Sequence, residues 1–242
     1  MTPLLFKNAR LIDPETSSDD IGTLAVEDGR IVSAMGLDGA RVIDCAGKCL
    51  APGIVDIGVK VSEPGERHKE SFRSAGLAAA AGGVTTIVTR PDTLPAIDTP
   101  ETLEFVRRRA NEAAPVNVLP MAALTRGREG REMAEIGFLL DAGAVAFTDC
   151  DRVITSSKVF SRCLAYAASL GALVIAHPQE PILSDGAAAT SGKFAALRGL
   201  PSVSPMAERM ALEGLVRAMG LFGEAADITL AEPLPPVPDS LT

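Results

Sequence analysis

After Pro52 the sequence alternates strand-like and helical runs, and this alternation limits the fold more than any other feature of the chain. GIVDIGV precedes KESFRSAGLAAAAGG, VTTIVT precedes PETLEFVRRRANEAA, and VNVLPMAA precedes EGREMAEIGFLLDAG. AVAFT then leads to SKVFSRCLAYAASLG, and ALVIAH leads to SPMAERMALEGLVRAMGLFG before a last strand-like run, ADITLAE. Parallel strands cannot be joined by a tight turn. Each needs a helix-length return, so the rhythm predicts βαβ units. Near-continuous apolar strands such as TTIVT and ALVIA fit a sheet covered on both faces. Gly82-Gly83, Gly143 and Gly171 stand where helices should end in a left-handed residue before the next strand. An open doubly wound sheet has the same local rhythm, but no phosphate-binding glycine fingerprint follows the first strand, which favours a barrel.

The predicted barrel strands span about 53–59, 84–89, 116–120, 144–148, 172–177 and 227–232. A complete barrel needs eight. The expectation is therefore an α/β chain with a TIM-like (β/α) barrel, apparently truncated after about six strands. Before it, LLFKNARLID, TLAVEDGRIVSAMG and RVIDCAGKCLAPG read as strands, with Asp28-Gly29 as a hairpin turn because both residues tolerate positive φ. The predicted organisation is a small β region over 1–51, taken as a β-sandwich portion, a partial βα barrel over 52–232 and an irregular Pro-rich tail over 233–242.

At 242 residues and 47% hydrophobic content the chain can bury a substantial core. A net charge of -8 speaks against a nucleic-acid partner, which would call for Lys and Arg concentrated on one face. Arg107, Arg108 and Arg109 sit in a helical pattern beside Glu101, Glu104 and Glu112 and read as a solvated, salt-bridged surface. Cys45, Cys49, Cys150 and Cys163 lack the paired spacing of a structural zinc site and are expected to be reduced and partly buried. The N-terminus has no signal-peptide core, and no apolar run reaches the length of a membrane span. The predicted compartment is the cytoplasm, with no membrane partner.

In a parallel barrel the chemistry sits at the C-terminal ends of the strands. At the first such end the chain reads PGIVDIGVKVSEPG, from Pro52 to Gly65. This segment resembles the first barrel strand of the dihydroorotases of the amidohydrolase superfamily, where the pattern PG-hydrophobic-VD-x-HVH-x-REPG carries two zinc-binding histidines. Gly58 and Lys60 stand at the histidine positions. Glycine offers no ligand atom, and an ammonium must lose a proton before it can bind metal. Glu63, Pro64 and Gly65 keep the EPG turn, and His68, Lys69 and Glu70 match the family's HKE, but Ser62 replaces the arginine that grips the substrate carboxylate.

The resemblance continues along nearly the whole chain. The family's M-P-N-T appears as Arg90, Pro91, Asp92 and Thr93, so an anion replaces the substrate-contacting asparagine, and Arg90 could supply a cation from a new place. F-S-D-D-G appears as Phe147, Thr148, Asp149, Cys150 and Asp151, with Cys150 at a metal-ligand position and the two carboxylates expected to alternate away from it. His177 keeps the family's histidine in V-I-A-H. Leu197, Gly199-Leu200-Pro201 and Ala207-Glu208 resemble a following loop and helix entry, while Glu232 replaces the sixth-strand histidine. The eighth-strand aspartate that takes a proton from the attacking water has no counterpart.

The resemblance therefore implies vestigial metal positions at Gly58, Lys60, Cys150, His177 and Glu232, degenerate substrate positions at Ser62 and Asp92, no catalytic residues and no cofactor. A full zinc site contributes on the order of 10 kcal/mol through three or four ligands, which one imidazole cannot approach. The expected function is that of a noncatalytic dihydroorotase-like subunit with a structural role beside the aspartate carbamoyltransferase catalytic chain of pyrimidine biosynthesis. The alternative is an active dihydroorotase or related cyclic amidohydrolase with a rearranged zinc site, drawing on His177, Cys150, Glu232, Asp149 or Asp151, with Lys60 as a base. A third reading makes the chain a fragment of a longer homologue. Open strand edges would need cover from a second copy, a partner chain or further polypeptide.

Overall fold

The computed structural model describes residues 2–34 and 37–220. The chain divides into two compact units, the first Met1–Ile54 and the second beginning at Val55. In the first unit, β1 (Leu4–Asp13) lies between the antiparallel β2 (Ser18–Glu27) and the parallel β4 (Arg41–Asp44), with β3 (Arg30–Val32) beyond β2 and β5 (Cys49–Leu50) also on β1. The Asp28-Gly29 turn is present, with φ of 48° and 76° and Glu27 paired to Arg30. Among the described residues this unit is one five-stranded sheet, a single layer where a sandwich portion was expected.

In the second unit, β6 (Ile54–Val59), β7 (Val84–Thr89) and β8 (Asn117–Pro120) form a sheet in that order, with β7 and β8 parallel. The predicted fourth and fifth strands are corrected to isolated parallel bridges, Ala122 to Phe147 and Phe147 to Val174. Their positions survive because the hydrogen bonding continues: Val145 N–H donates to the Pro120 carbonyl, Phe147 N–H to Leu173 and Ile175 N–H to Phe147. Five successive barrel positions thus follow chain order. The predicted strand at 227–232 lies outside the described residues.

Helices cover the sheet where capping and periodicity agree. α1 (Phe72–Ala81) opens on a capping box between Ser71 and Ser74, α2 (Pro100–Ala113) on Thr99 with Pro100 in its first turn, and α4 (Ser157–Ser169) on Ser156. α3 (Ile136–Asp141) is shorter than the sequence predicts. Gly127, Arg128 and Gly130 all adopt positive φ, so a 3-10 turn (Arg126–Arg128) comes first and EGREMAE, residues 129–135, forms an irregular stretch before the helix starts. Beyond it come α5 (Pro181–Ser184), the two-stranded pair β9 (Ala189–Thr190) and β10 (Ser202–Val203), α6 (Lys193–Arg198) and α7 (Met206–Gly220).

Phe72, Ile87, Leu103, Val106, Leu124, Ile136, Leu139 and Phe147 pack as one core between sheet and helices. Burying each side chain contributes about 1.5–3 kcal/mol, and this core holds the strand ends in register. Among the described residues no helix is long and apolar enough to cross a membrane. All four cysteines are free, and burial pushes the Cys163 thiol up to about 11.

Candidate functional site

The retained EPG turn is architectural. Glu63 is buried, accepts the Phe72 N–H that opens α1 at 3.1 Å, and meets the Arg109 guanidinium at 3.1–3.2 Å. Arg109 also pairs with Glu112, so it anchors α2 to this turn and is no simple surface charge, a role the local sequence does not reveal. Gly65 has φ of 99°, and a Cβ there would lie 2.4 Å from the Leu94 carbonyl oxygen. A backbone atom cannot swing aside. Gly65→Ala is expected to cost at least about 2 kcal/mol, read as a lower urea midpoint.

The positions that should hold metal have other tasks. Gly58 has φ of 93°, a conformation that side-chain-bearing residues rarely adopt, so a histidine there would strain β6 even though nothing lies within 4 Å of its missing Cβ. Lys60, just beyond β6, places Nζ 3.0 Å from Asp92 Oδ2. Arg90, just beyond β7, forks onto the same carboxylate, with Nε 3.2 Å from Oδ1 and Nη2 2.9 Å from Oδ2. Asp92 is therefore a buried anion held between two cations, its side chain 3% exposed. Arg90 is committed to Asp92 and does not stand free as the substrate clamp it could have been. Ser62 is buried, and its carbonyl accepts the Glu66 N–H in the first turn after β6.

The structure overturns the alternation expected around Cys150. Cys150 has φ of 58°, so the backbone turns there and does not run on as a strand. Asp149 points toward the segment that follows β8, where Oδ1 accepts the N–H groups of Leu124 and Thr125 at 3.0 Å each and Oδ2 accepts the Thr125 hydroxyl. Asp151 points the other way, onto Arg128 and 3.7 Å from Arg90. Burial raises the Cys150 thiol, Asp92 raises it further, and Arg90 and Arg128 only partly oppose them. It is protonated at neutral pH and poorly suited to bind metal as thiolate. Burial works against Asp151, but its own backbone N–H, Arg128 and Arg90 hold its carboxyl below the ordinary range.

Arg90 itself is raised: burial lowers it, and Cys150 and Asp92 more than compensate. With the thiol protonated, its anionic partner at neutral pH is Asp92. His177 is exposed, its Nε2 2.9 Å from Gln179 Oε1, and Glu232 lies outside the described residues. An open cleft of about 700 Å³ beside the fourth strand end is lined by Arg128, Asp149, Asp151, Arg152, Gln179 and Ser184, a mixed and nearly balanced set of charges. Among the described residues no three His, Cys, Asp or Glu side chains converge as a ligand set, so these residues do not fit zinc and no metal step follows from them. His177→Ala is expected to change stability by less than about 0.5 kcal/mol, measured by urea unfolding.

Comparison with known proteins agrees with this frame. The family model described as dihydro-orotase-like matches residues 47–221. A dihydroorotase-like protein of Pseudomonas putida is 39% identical over 230 residues, covering 92% of this chain and 54% of that protein. A dihydroorotase of Sulfurihydrogenibium is 38% identical over 209 residues, covering 85% of this chain and 49% of that one. The chain spans about half the length of the curated relatives it matches. Among solved structures, an L-hydantoinase from Arthrobacter aurescens superposes with a TM-score of 0.76 at 20% identity, over 92% of this chain and 51% of that one. A dihydroorotase superposes with a TM-score of 0.54 at 15% identity, over 91% and 64%. These likenesses establish the fold as part of an amidohydrolase-type barrel. The chain belongs to the dihydroorotase-like family of the amidohydrolase superfamily.

Proposed function

We propose that the chain is a noncatalytic dihydroorotase-like subunit that serves a structural role beside the aspartate carbamoyltransferase catalytic chain of pyrimidine biosynthesis, in the cytoplasm. One observation carries the noncatalytic part. The strand ends that should present metal and substrate ligands are instead bound to one another, Lys60 and Arg90 on Asp92 and Arg128 on Asp151. Hydrolysis of a cyclic amide needs an activated water and a base to deprotonate it. Lys60 is paired with Asp92 and Asp149 with Leu124 and Thr125, so neither is poised for that work. The retained Glu63 and Gly65 support the same reading, because each has a packing role that survives loss of chemistry. The partner is inferred from the family resemblance together with the vacated site.

Purified protein dialysed against zinc is expected to carry far less than one metal per chain and to show no dihydroorotase turnover. On gel filtration it should coelute with the transferase catalytic chain. Stoichiometric metal that disappears in His177→Ala would refute the noncatalytic reading, and a pair that never coelutes would remove the structural role.

A further inference from the structure

We infer that the ion pairs at the strand ends are a built replacement for a metal centre, doing mechanically what a shared metal does in tying several barrel strands together. Lys60 comes from the end of β6, Arg90 and Asp92 from the end of β7, Arg128 from the 3-10 turn after β8, and Asp151 from the turn after the fourth strand position. Four consecutive strand ends are thus joined by contacts of 2.5–3.7 Å: Lys60 to Asp92, Asp92 to Arg90, Arg90 to Asp151 and Asp151 to Arg128. Arg128 also donates from Nε and Nη2 to the Asp149 carbonyl at 3.2 and 3.1 Å, which fixes the Cys150 turn from a second side.

Three cations, Lys60, Arg90 and Arg128, are paired with two carboxylates, Asp92 and Asp151, while the nearby Asp149 carboxyl is held by Leu124 and Thr125. A metal brings its positive charge from outside, whereas here substituted side chains supply it. The substitutions at 60, 90 and 92 are mutually dependent in this account. A buried carboxylate at Asp92 without Lys60 and the Arg90 fork would be an uncompensated charge, and either cation without Asp92 would repel the other. Drift at unused positions has no reason to produce a complementary trio.

Asp92 is the centre and Lys60 the rim, because the Asp92 side chain is 3% exposed and that of Lys60 58%. The inference rests on the noncatalytic reading, and unfolding measurements separate the two. Tyr166 on α4 is the sole tyrosine and the chain has no tryptophan, so tyrosine fluorescence follows the second unit alone. Asp92→Asn is expected to lower the thermal midpoint by roughly 5–10 °C, Arg90→Lys, which keeps the charge and loses the fork, by about 2–4 °C, and Lys60→Met by about 1 °C. The Arg90→Met and Asp92→Asn losses should be less than additive when combined. A chelator should leave the wild-type midpoint unchanged.

Midpoints for Asp92→Asn and Arg90→Lys within about 1 °C of wild type, or strictly additive losses, overturn the inference and leave the noncatalytic reading standing. A chelator-induced fall overturns the noncatalytic reading instead. Should Asp92→Asn yield no folded protein, Arg90→Lys decides by itself: a lowered midpoint supports the network, and an unchanged one sinks it.

Discussion

Phe147→Ala is expected to lower the stability of the second unit by about 3–5 kcal/mol. Phe147 is fully buried and stands where regular hydrogen bonding is sparse, since the fourth strand position meets its neighbours through isolated bridges to Ala122 and Val174 and the Val145 N–H bond to Pro120. Where a ladder is short, side-chain packing must hold the register. Phe147 packs into the same core as Leu124, Ile136 and Phe160, so its loss leaves a cavity between the sheet and two helices that the short bridges cannot close by sliding. Urea unfolding followed through Tyr166 should show the midpoint fall with little change in slope. Phe147→Leu, which retains most of the volume, should lose less than half as much. Equal losses in the two variants would mean that packing volume does not set the cost.

The alternation after Pro52 was enough to read β6, β7, β8 and four of the covering helices, because burial on both strand faces and amphipathic returns leave separate periods in the sequence. It could not tell a strand of several residues from a single bridge at Phe147, since that depends on how long two neighbours stay parallel. Nor could the apolar spacing of EGREMAEIGFLLDAG show that its first seven residues stay out of the helix, with the backbone turned at Gly130 and at Gly127 and Arg128 just before it. At the site, the substitutions Gly58, Lys60, Ser62 and Asp92 were legible position by position. Their pairing was not: Lys60 and Asp92 lie on different strand ends, and only the fold brings them to 3.0 Å. Cys150 misled for a related reason. Alternation assumes an extended chain, and a φ of 58° sends Asp149 and Asp151 to opposite partners. Arg109 looked like one of three surface arginines until the fold placed it on Glu63, 46 positions away in the chain.

Asp149→Ala is expected to cost about 3–5 kcal/mol for a different reason, the stranding of buried donors. The Asp149 carboxylate accepts from the backbone N–H groups of Leu124 and Thr125 and from the Thr125 hydroxyl, and both partner residues are almost wholly buried. Alanine leaves all three donors without an acceptor, at roughly 1–3 kcal/mol each, partly offset because a desolvated anion is also removed. Asp149→Asn should cost only about 1 kcal/mol, since its carbonyl can still accept the two amides while the Thr125 hydroxyl, which already accepts the Gly130 N–H, turns to accept the new amide as well. The pH dependence sharpens the comparison. Burial raises the Asp149 carboxyl above 3.8, with the hydrogen bonds from Thr125 and Leu124 and the charge of Arg128 opposing it less strongly. A folded value above the unfolded one gives stability that is complete below the unfolded value and lost as pH rises through the folded one. Wild type should therefore gain on Asp149→Asn as pH falls from 7 toward 4, in urea midpoints read through Tyr166. The opposite trend would mean that Asp149 is held as a stabilised anion, the state a metal ligand requires, and would reopen the case for a cation at this strand end.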